Sequence, residues 1–114
     1  MNNIGDPDLL NELLSVVAEC EDLVSQMRED GELKNRAAHA YYLERTRRAY
    51  AMKTRGESAT MISLLIKGLP EVADAKLKYD SSETAYDVDR EELMLKKKKI
   101  AILEGQIDRE WHSG

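Results

Sequence analysis

Apolar residues recur at alternating spacings of three and four along the first part of the chain, and no other feature constrains the fold as strongly. The residues in this stripe are Leu10, Leu13, Val17, Cys20, Val24 and Met27, widened by Leu9, Val16 and Leu23. Such a spacing keeps one face of an α-helix apolar over many turns, as in a coiled coil. Asp6 followed by Pro7 predicts where the helix begins, because Asp is a good N-cap and proline costs nothing at the first helical position.

This helix is expected to continue well beyond its apolar stripe. A row spaced by seven residues runs on through Gly31, Ala38, Arg45 and Met52 without a break in phase. Glycine can end a helix, or it can lie inside one at a cost of about 1 kcal/mol. The unbroken row favours one helix over residues 7–55, either bent at Gly31 or straight through it.

Gly56 and Pro70 divide the rest of the chain into a short helix and a long one. Ser58 is placed to cap a short apolar helix over residues 59–68, and Pro70 then begins a helix over residues 71–111. The long helix has its own row of seven, which consists of Val72, Tyr79, Tyr86, Leu93, Ile100 and Ile107. The alternating apolar and polar pattern of strands is nearly absent.

Two long helices joined by a compact turn predict an all-α fold. We expect a single helical domain over residues 1–114, built as a long antiparallel, coiled-coil-like hairpin that oligomerises into a bundle. With the turn centred near Ile62, the expected pairs are Ala38 with Tyr86, Gly31 with Leu93, Val24 with Ile100 and Arg45 with Tyr79. The absence of Phe and the single Trp fit thin helical packing better than a thick core.

Acidic and basic blocks alternate along the chain. Residues 1–32 hold nine acids and one base, whereas residues 33–55 hold seven bases and one acid. Residues 56–92 are acidic again, and residues 93–114 are basic. Blocks of opposite sign favour pairing within one molecule or across an oligomer.

Two basic sets are candidate contacts for nucleic acid. They are Arg45, Arg47, Arg48, Lys53 and Arg55 in the first helix, and Lys96, Lys97, Lys98 and Lys99 in the last. Consecutive lysines on a helix point in different directions, and the net charge of −5 weakens long-range attraction to phosphate. Neutralisation of the acidic block is therefore favoured over nucleic-acid binding.

No motif for catalysis, for a metal or for a cofactor is found. The scattered glycines form no phosphate-binding loop, and Cys20, His39 and His112 lie far apart in the sequence. Cys20 has no partner for an internal disulfide and is expected to serve as a small apolar residue. We predict a non-catalytic protein. The first residues lack the features of a signal peptide, and no stretch approaches the roughly 20 apolar residues of a membrane helix, so we expect a soluble cytoplasmic protein.

The short helix at the turn is apolar on nearly every side, so the two long helices can cover only part of it. Its candidate interface residues are Met61, Ile62, Leu64, Leu65, Ile66 and Leu69. A large exposed apolar patch marks an interaction site. Contact between the tips of two copies is favoured over a groove for a foreign partner, because most soluble oligomers are symmetric.

Four stretches of the sequence resemble a known group of proteins. They are AYYLERTRRAYAMKTRGES, GLPEVADAKLKYD, a tyrosine at the position of Tyr86, and ILEGQIDREW, and the resemblance covers roughly residues 36–111. The chain resembles small helical proteins of unassigned function that are encoded in the early replication and recombination regions of bacteriophages and prophages. The resemblance implies a phage product that acts in the host bacterial cytoplasm, on DNA metabolism or on a host defence, and it carries no catalytic motif.

Three hypotheses for function follow. The first is an oligomeric coiled-coil adaptor or scaffold in phage DNA metabolism, whose partners are further copies of itself and a phage or host protein. The second is a nucleic-acid-binding accessory factor that uses the two basic sets. The third is an inhibitor of a host nucleic-acid enzyme or defence system, whose acidic surface imitates phosphate.

Overall fold

The structure, a computed structural model, describes residues 7–113 and is helical over almost all of them. Helix α1 spans Pro7–Thr54, α2 spans Ala59–Leu65, a 3-10 turn covers Ile66–Gly68, and α3 spans Pro70–Ser113. No strand occurs in this part of the chain, which confirms the all-α class. These bounds lie next to the predicted ranges 7–55, 59–68 and 71–111. The predicted cap at Asp6 lies outside the described residues.

Gly31 leaves α1 continuous. The helix passes through this residue without a break. A Cβ built on Gly31 would lie 3.5 Å from Cε1 of Tyr86, which is an ordinary van der Waals separation. The glycine therefore allows α3 to approach α1 closely at this point without being required for it.

The end of α1 is fixed by a Schellman motif, in which the chain turns through a left-handed glycine. Gly56 has φ of +91°, its N–H donates to the carbonyl of Lys53 at 3.0 Å, and the N–H of Glu57 donates to the carbonyl of Met52 at 3.1 Å. Two residues later, the Ser58 hydroxyl accepts a hydrogen bond from the N–H of Met61 at 3.2 Å. The predicted cap of the short helix is thereby confirmed.

We expect Gly56→Ala to lower the free energy of unfolding by about 1 to 2 kcal/mol, because a Cβ is unfavourable in the left-handed region. Urea unfolding followed by circular dichroism at 222 nm measures the loss. Gly68→Ala is the matched control, since Gly68 has no positive φ and a Cβ there would meet nothing within 4 Å. Equal effects at the two glycines would contradict the conformational explanation.

Contacts divide the described chain into two units. The first unit comprises α1 up to Arg28 and α3 from Asp87 onward. Val16 and Leu103 are its buried residues, and two ion pairs connect its helices. Glu12 Oε1 lies 3.4 Å from Lys99 Nζ, and Glu19 Oε2 lies 2.7 Å from Lys96 Nζ. A later residue of α1 thus pairs with an earlier residue of α3.

The second unit comprises residues 29–86 and contains the turn. Its core is a cluster of Tyr41, Ile66 and Val72, which are 7%, 3% and 1% exposed. The partly buried side chains packed against this cluster are Ala49, Ile62, Leu69, Ala75 and Tyr79. Residues of the turn thus supply part of the core. That the whole chain forms a single domain stays a prediction.

The register predicted for the second unit is wrong. Tyr86 lies against Gly31 and below the ammonium group of Lys34, 5.0 Å from the ring centre, instead of against Ala38. Tyr79 stacks on Tyr41, with ring centroids 6.0 Å apart, and the positive charge over its ring is Lys76 at 5.3 Å instead of Arg45. These contacts show that the chain does not reverse symmetrically about Ile62, and Ile66 of the 3-10 turn packs in the core with Tyr41 and Val72.

The row of seven predicted to face α3 from the start of α1 is also displaced. Leu10, Val17 and Val24 are 50%, 36% and 39% exposed, whereas Val16, from the parallel row, is 3% exposed. The row of seven predicted for α3 does coincide with buried and half-buried positions. Val72 is buried, and the half-buried members are Tyr79, Tyr86, Leu93, Ile100 and Ile107. In the first unit α1 is therefore rotated by about one residue from the predicted orientation, whereas Met52, from the same predicted row in the second unit, is 2% exposed.

Candidate interaction surfaces

A shallow apolar groove runs along one edge of the first unit. We call it the Val17–Ile100 groove. The apolar part of its lining consists of Val17, Cys20 and Val24 from α1, and of Leu93 and Ile100 from α3. Cys20 is a half-buried free thiol there. The exposed row of α1 and the half-buried row of α3 thus form the two walls of one groove.

The opposite edge of the first unit is closed by ion pairs. Each residue advances about 100° around a helix, so Glu12 and Glu19 lie across the seam from Val17 and Val24. A hydrogen bond from Lys96 lowers the pKa of Glu19, and the same bond raises the pKa of Lys96 above its usual range. The two edges of the unit therefore differ in character.

Charged residues border the Val17–Ile100 groove without pairing inside the molecule. Glu21 and Arg28 stand on its α1 side, and Lys97 stands on its α3 side. Within residues 7–113, none of the three takes part in an ion pair. The groove thus carries acid and base on facing walls.

A second hollow lies near the end of the same unit. It is lined by Leu13 on α1 and by Glu104, Ile107, Asp108 and Trp111 on α3. The Trp111 side chain is 59% exposed. Because α3 turns by 100° per residue, this hollow lies on the same side of α3 as Leu93 and Lys97.

The six candidate interface residues of the turn divide into two groups. Ile66 is buried, and Ile62 and Leu69 pack against the core, so these three face inward. Met61, Leu64 and Leu65 are 45%, 70% and 44% exposed, so these three face solvent. The exposed candidate surface therefore consists of three of the six predicted residues, because the other three pack against residues of the long helices.

The basic set of α1 is entirely exposed: Arg45, Arg47, Arg48, Lys53 and Arg55. Arg48 alone among them is in an ion pair with another described residue. It contacts Glu44 at 2.8 Å and Glu71 at 3.8 Å, and the hydrogen bond that its guanidinium donates to Glu44 raises the pKa of Arg48. Exposed ion pairs of this kind contribute little to stability.

The four lysines of α3 do not form one surface. Lys96 and Lys99 pair with glutamates of α1, Lys97 borders the groove, and Lys98 is exposed. Helix rotation of 100° per residue separates them, as the sequence predicts. Two of the four charges are thus used to neutralise the acidic start of α1.

The groove is not among the surfaces predicted from the sequence, although the apolar pattern that indicates it is present. Leu10, Val17 and Val24 form one row of seven, and Leu9, Val16 and Leu23 form the adjacent row. A helix that buries one of two adjacent apolar rows leaves the other exposed beside the seam. Two neighbouring apolar rows therefore indicate a second contact surface in addition to the first.

No group of three or more His, Cys, Asp or Glu side chains is placed to hold a metal ion in the described chain. None of its helices combines the length and the apolar character needed to cross a membrane. No protein-family model, no curated protein and no solved structure matches this chain.

Proposed function

We propose that this chain is a non-catalytic interaction protein: a long antiparallel helical hairpin of the coiled-coil type that assembles with itself and acts as an adaptor or scaffold. The observation that carries the proposal is the amount of apolar side chain left exposed on both long helices. Among the largest exposed fractions are those of Leu14 at 58%, Leu95 at 65% and Ile102 at 61%. Large exposed apolar patches are typical of interaction surfaces.

Burial along α3 supports the coiled-coil part of the proposal. Its buried and half-buried residues include two interleaved rows of seven, one beginning at Val72 and the other at Ala75. The first row is Val72, Tyr79, Tyr86, Leu93, Ile100 and Ile107, and the second is Ala75, Ser82, Asp89, Lys96, Leu103 and Glu110. Alternation of three and four residues is the pattern that keeps a helix seam facing its neighbour.

Area supports the assembly. Covering about 600 Å² of apolar surface, at about 25 cal/mol per Å², contributes on the order of 15 kcal/mol before the costs of association. Association costs of about 4 to 15 kcal/mol offset much of this free energy, and a micromolar dissociation constant requires that about 8 kcal/mol remain. The setting in phage DNA metabolism, within the host bacterial cytoplasm, comes from the resemblance of residues 36–111 alone.

Sedimentation equilibrium at micromolar concentration tests the proposal. We expect a mass of two chains or more, which falls toward that of one chain on dilution. A mass of one chain at every concentration up to about 100 µM would contradict self-assembly. In that case capture of a host nucleic-acid enzyme would favour the inhibitor hypothesis, and salt-dependent retention on a DNA column would favour the nucleic-acid-binding one.

A further inference from the structure

We propose that the Val17–Ile100 groove is the surface on which two copies of this chain pack, with both copies pointing in the same direction and a twofold axis running along the helices. The inference rests on the proposed function and deepens it by naming the surface, the occupant and the orientation. Each copy would present its own groove to the other, so the contact is isologous.

The groove has the geometry that a neighbouring helix pair needs. On α1 its apolar residues Val17 and Val24 are seven residues apart, and on α3 Leu93 and Ile100 are seven residues apart. Apolar rows of period seven on both walls match the spacing of knobs on a packed helix. On the opposite edge only α3 carries an exposed apolar row, which includes Leu95 and Ile102. Helix α1 contributes Glu12 and Glu19 there, and their ion pairs with Lys99 and Lys96 cross the seam.

Charge complementarity identifies the occupant as a second copy. The α1 wall carries Glu21, and the α3 wall carries Lys97. A twofold axis along the helices sets α1 of each copy opposite α3 of the other. Each Glu21 then faces Lys97 of the second copy, and the pair occurs twice in the dimer.

The positions of Glu21 and Lys97 along the helix axes agree with this arrangement. Glu19 bonds to Lys96 within the first unit, so Glu21 and Lys97 stand within about one helical turn of each other along the groove. Rotation about a twofold axis parallel to the helices leaves these positions along the axis unchanged in the second copy. Glutamate and lysine side chains are long enough to bridge the remaining offset.

The opposite orientation forms no more ion pairs and brings like charges together, because the acidic first part of α1 would face the same part of α1 in the second copy. Two copies pointing in opposite directions would set α1 against α1 and α3 against α3. Glu21 could then pair with Arg28, and Lys97 with Glu104, each about a local twofold axis. Judged from the Glu19–Lys96 contact, the two midpoints lie more than two helical turns apart, so a single axis cannot form both pairs.

Charge reversal across the groove tests the inference in the full chain. We expect Glu21→Lys alone and Lys97→Glu alone each to raise the dimer dissociation constant about tenfold or more, because two pairs per dimer become repulsive. The double variant E21K/K97E should return the dissociation constant to within about threefold of the original. Sedimentation equilibrium measures these constants, and circular dichroism verifies that each variant is helical.

Glu19→Lys is the matched control. It reverses the same type of charge two residues away on the opposite edge, where the partner is Lys96 of the same copy. We expect it to lower the unfolding midpoint while the dissociation constant changes less than threefold. The control therefore separates damage to the fold from damage to the interface.

Three outcomes would overturn the inference. A dimer unchanged by either single reversal would exclude the groove as the interface while leaving the proposed self-assembly in place. Restoration of E21K by Arg28→Glu instead of by Lys97→Glu would establish the opposite orientation. A wild-type chain that is monomeric throughout would overturn both the inference and the proposed function.

Discussion

Val72→Asp should remove most of the helical circular dichroism signal at 25 °C. Val72 is 1% exposed and lies in one buried cluster with Tyr41 and Ile66. A carboxylate at this position loses its hydration, and the cost is several kcal/mol or local disruption of the core. The total stability of a domain of this size is about 5 to 15 kcal/mol, so such a cost is a large share of it.

Leu77→Asp is the control for this substitution. Leu77 lies on the same helix and is 66% exposed, so the new carboxylate remains in water. We expect this variant to keep its helical signal and to unfold within a few degrees of the original chain. If Val72→Asp unfolded at the same temperature as Leu77→Asp, the cluster would not be the core of the second unit.

Local signals in the sequence identify the helices well. The cap at Ser58, the glycine at position 56 and the proline at position 70 each act through the backbone of a few neighbouring residues. Such signals need no knowledge of distant contacts. The all-α class follows from them and from the scarcity of strand patterns.

The register between α1 and α3 cannot be obtained in this way. Two rows of period seven match equally well after every shift of seven residues, so periodicity leaves several pairings open. In the structure the contacts of Tyr79 with Tyr41 and of Tyr86 with Gly31 define one of these pairings. Gly31 lies seven residues from Ala38, the predicted neighbour of Tyr86.

The candidate groove depends on the same kind of information. Val16 and Val17 are chemically identical, and both belong to apolar rows. Only the position of α3 makes Val16 3% exposed and Val17 36% exposed. The separate roles of Lys96 and Lys97 follow from that position too, because adjacent residues on a helix are 100° apart.

Tyr41→Ala should lower the free energy of unfolding by about 3 to 5 kcal/mol, the usual cost of removing a large buried aromatic side chain. The Tyr41 ring is 7% exposed, its centroid lies 6.0 Å from that of Tyr79, and the ammonium group of Lys76 lies 5.5 Å from its centre. The substitution removes ring packing and a cation–π contact together, and it leaves a cavity beside Val72 and Ile66.

Two further variants separate the ring from its hydroxyl and from a general effect of losing tyrosine. Tyr41→Phe keeps both ring contacts, so we expect urea unfolding to show a loss of less than about 1.5 kcal/mol. Tyr50→Ala removes a side chain that is 72% exposed on the same helix, and we expect a change within about 0.5 kcal/mol. If Tyr50→Ala cost as much as Tyr41→Ala, burial of the Tyr41 ring would not explain the loss, because alanine is the better helix former at both positions. A small loss for Tyr41→Phe beside a large one for Tyr41→Ala would assign the stability of the second unit to the stacked rings.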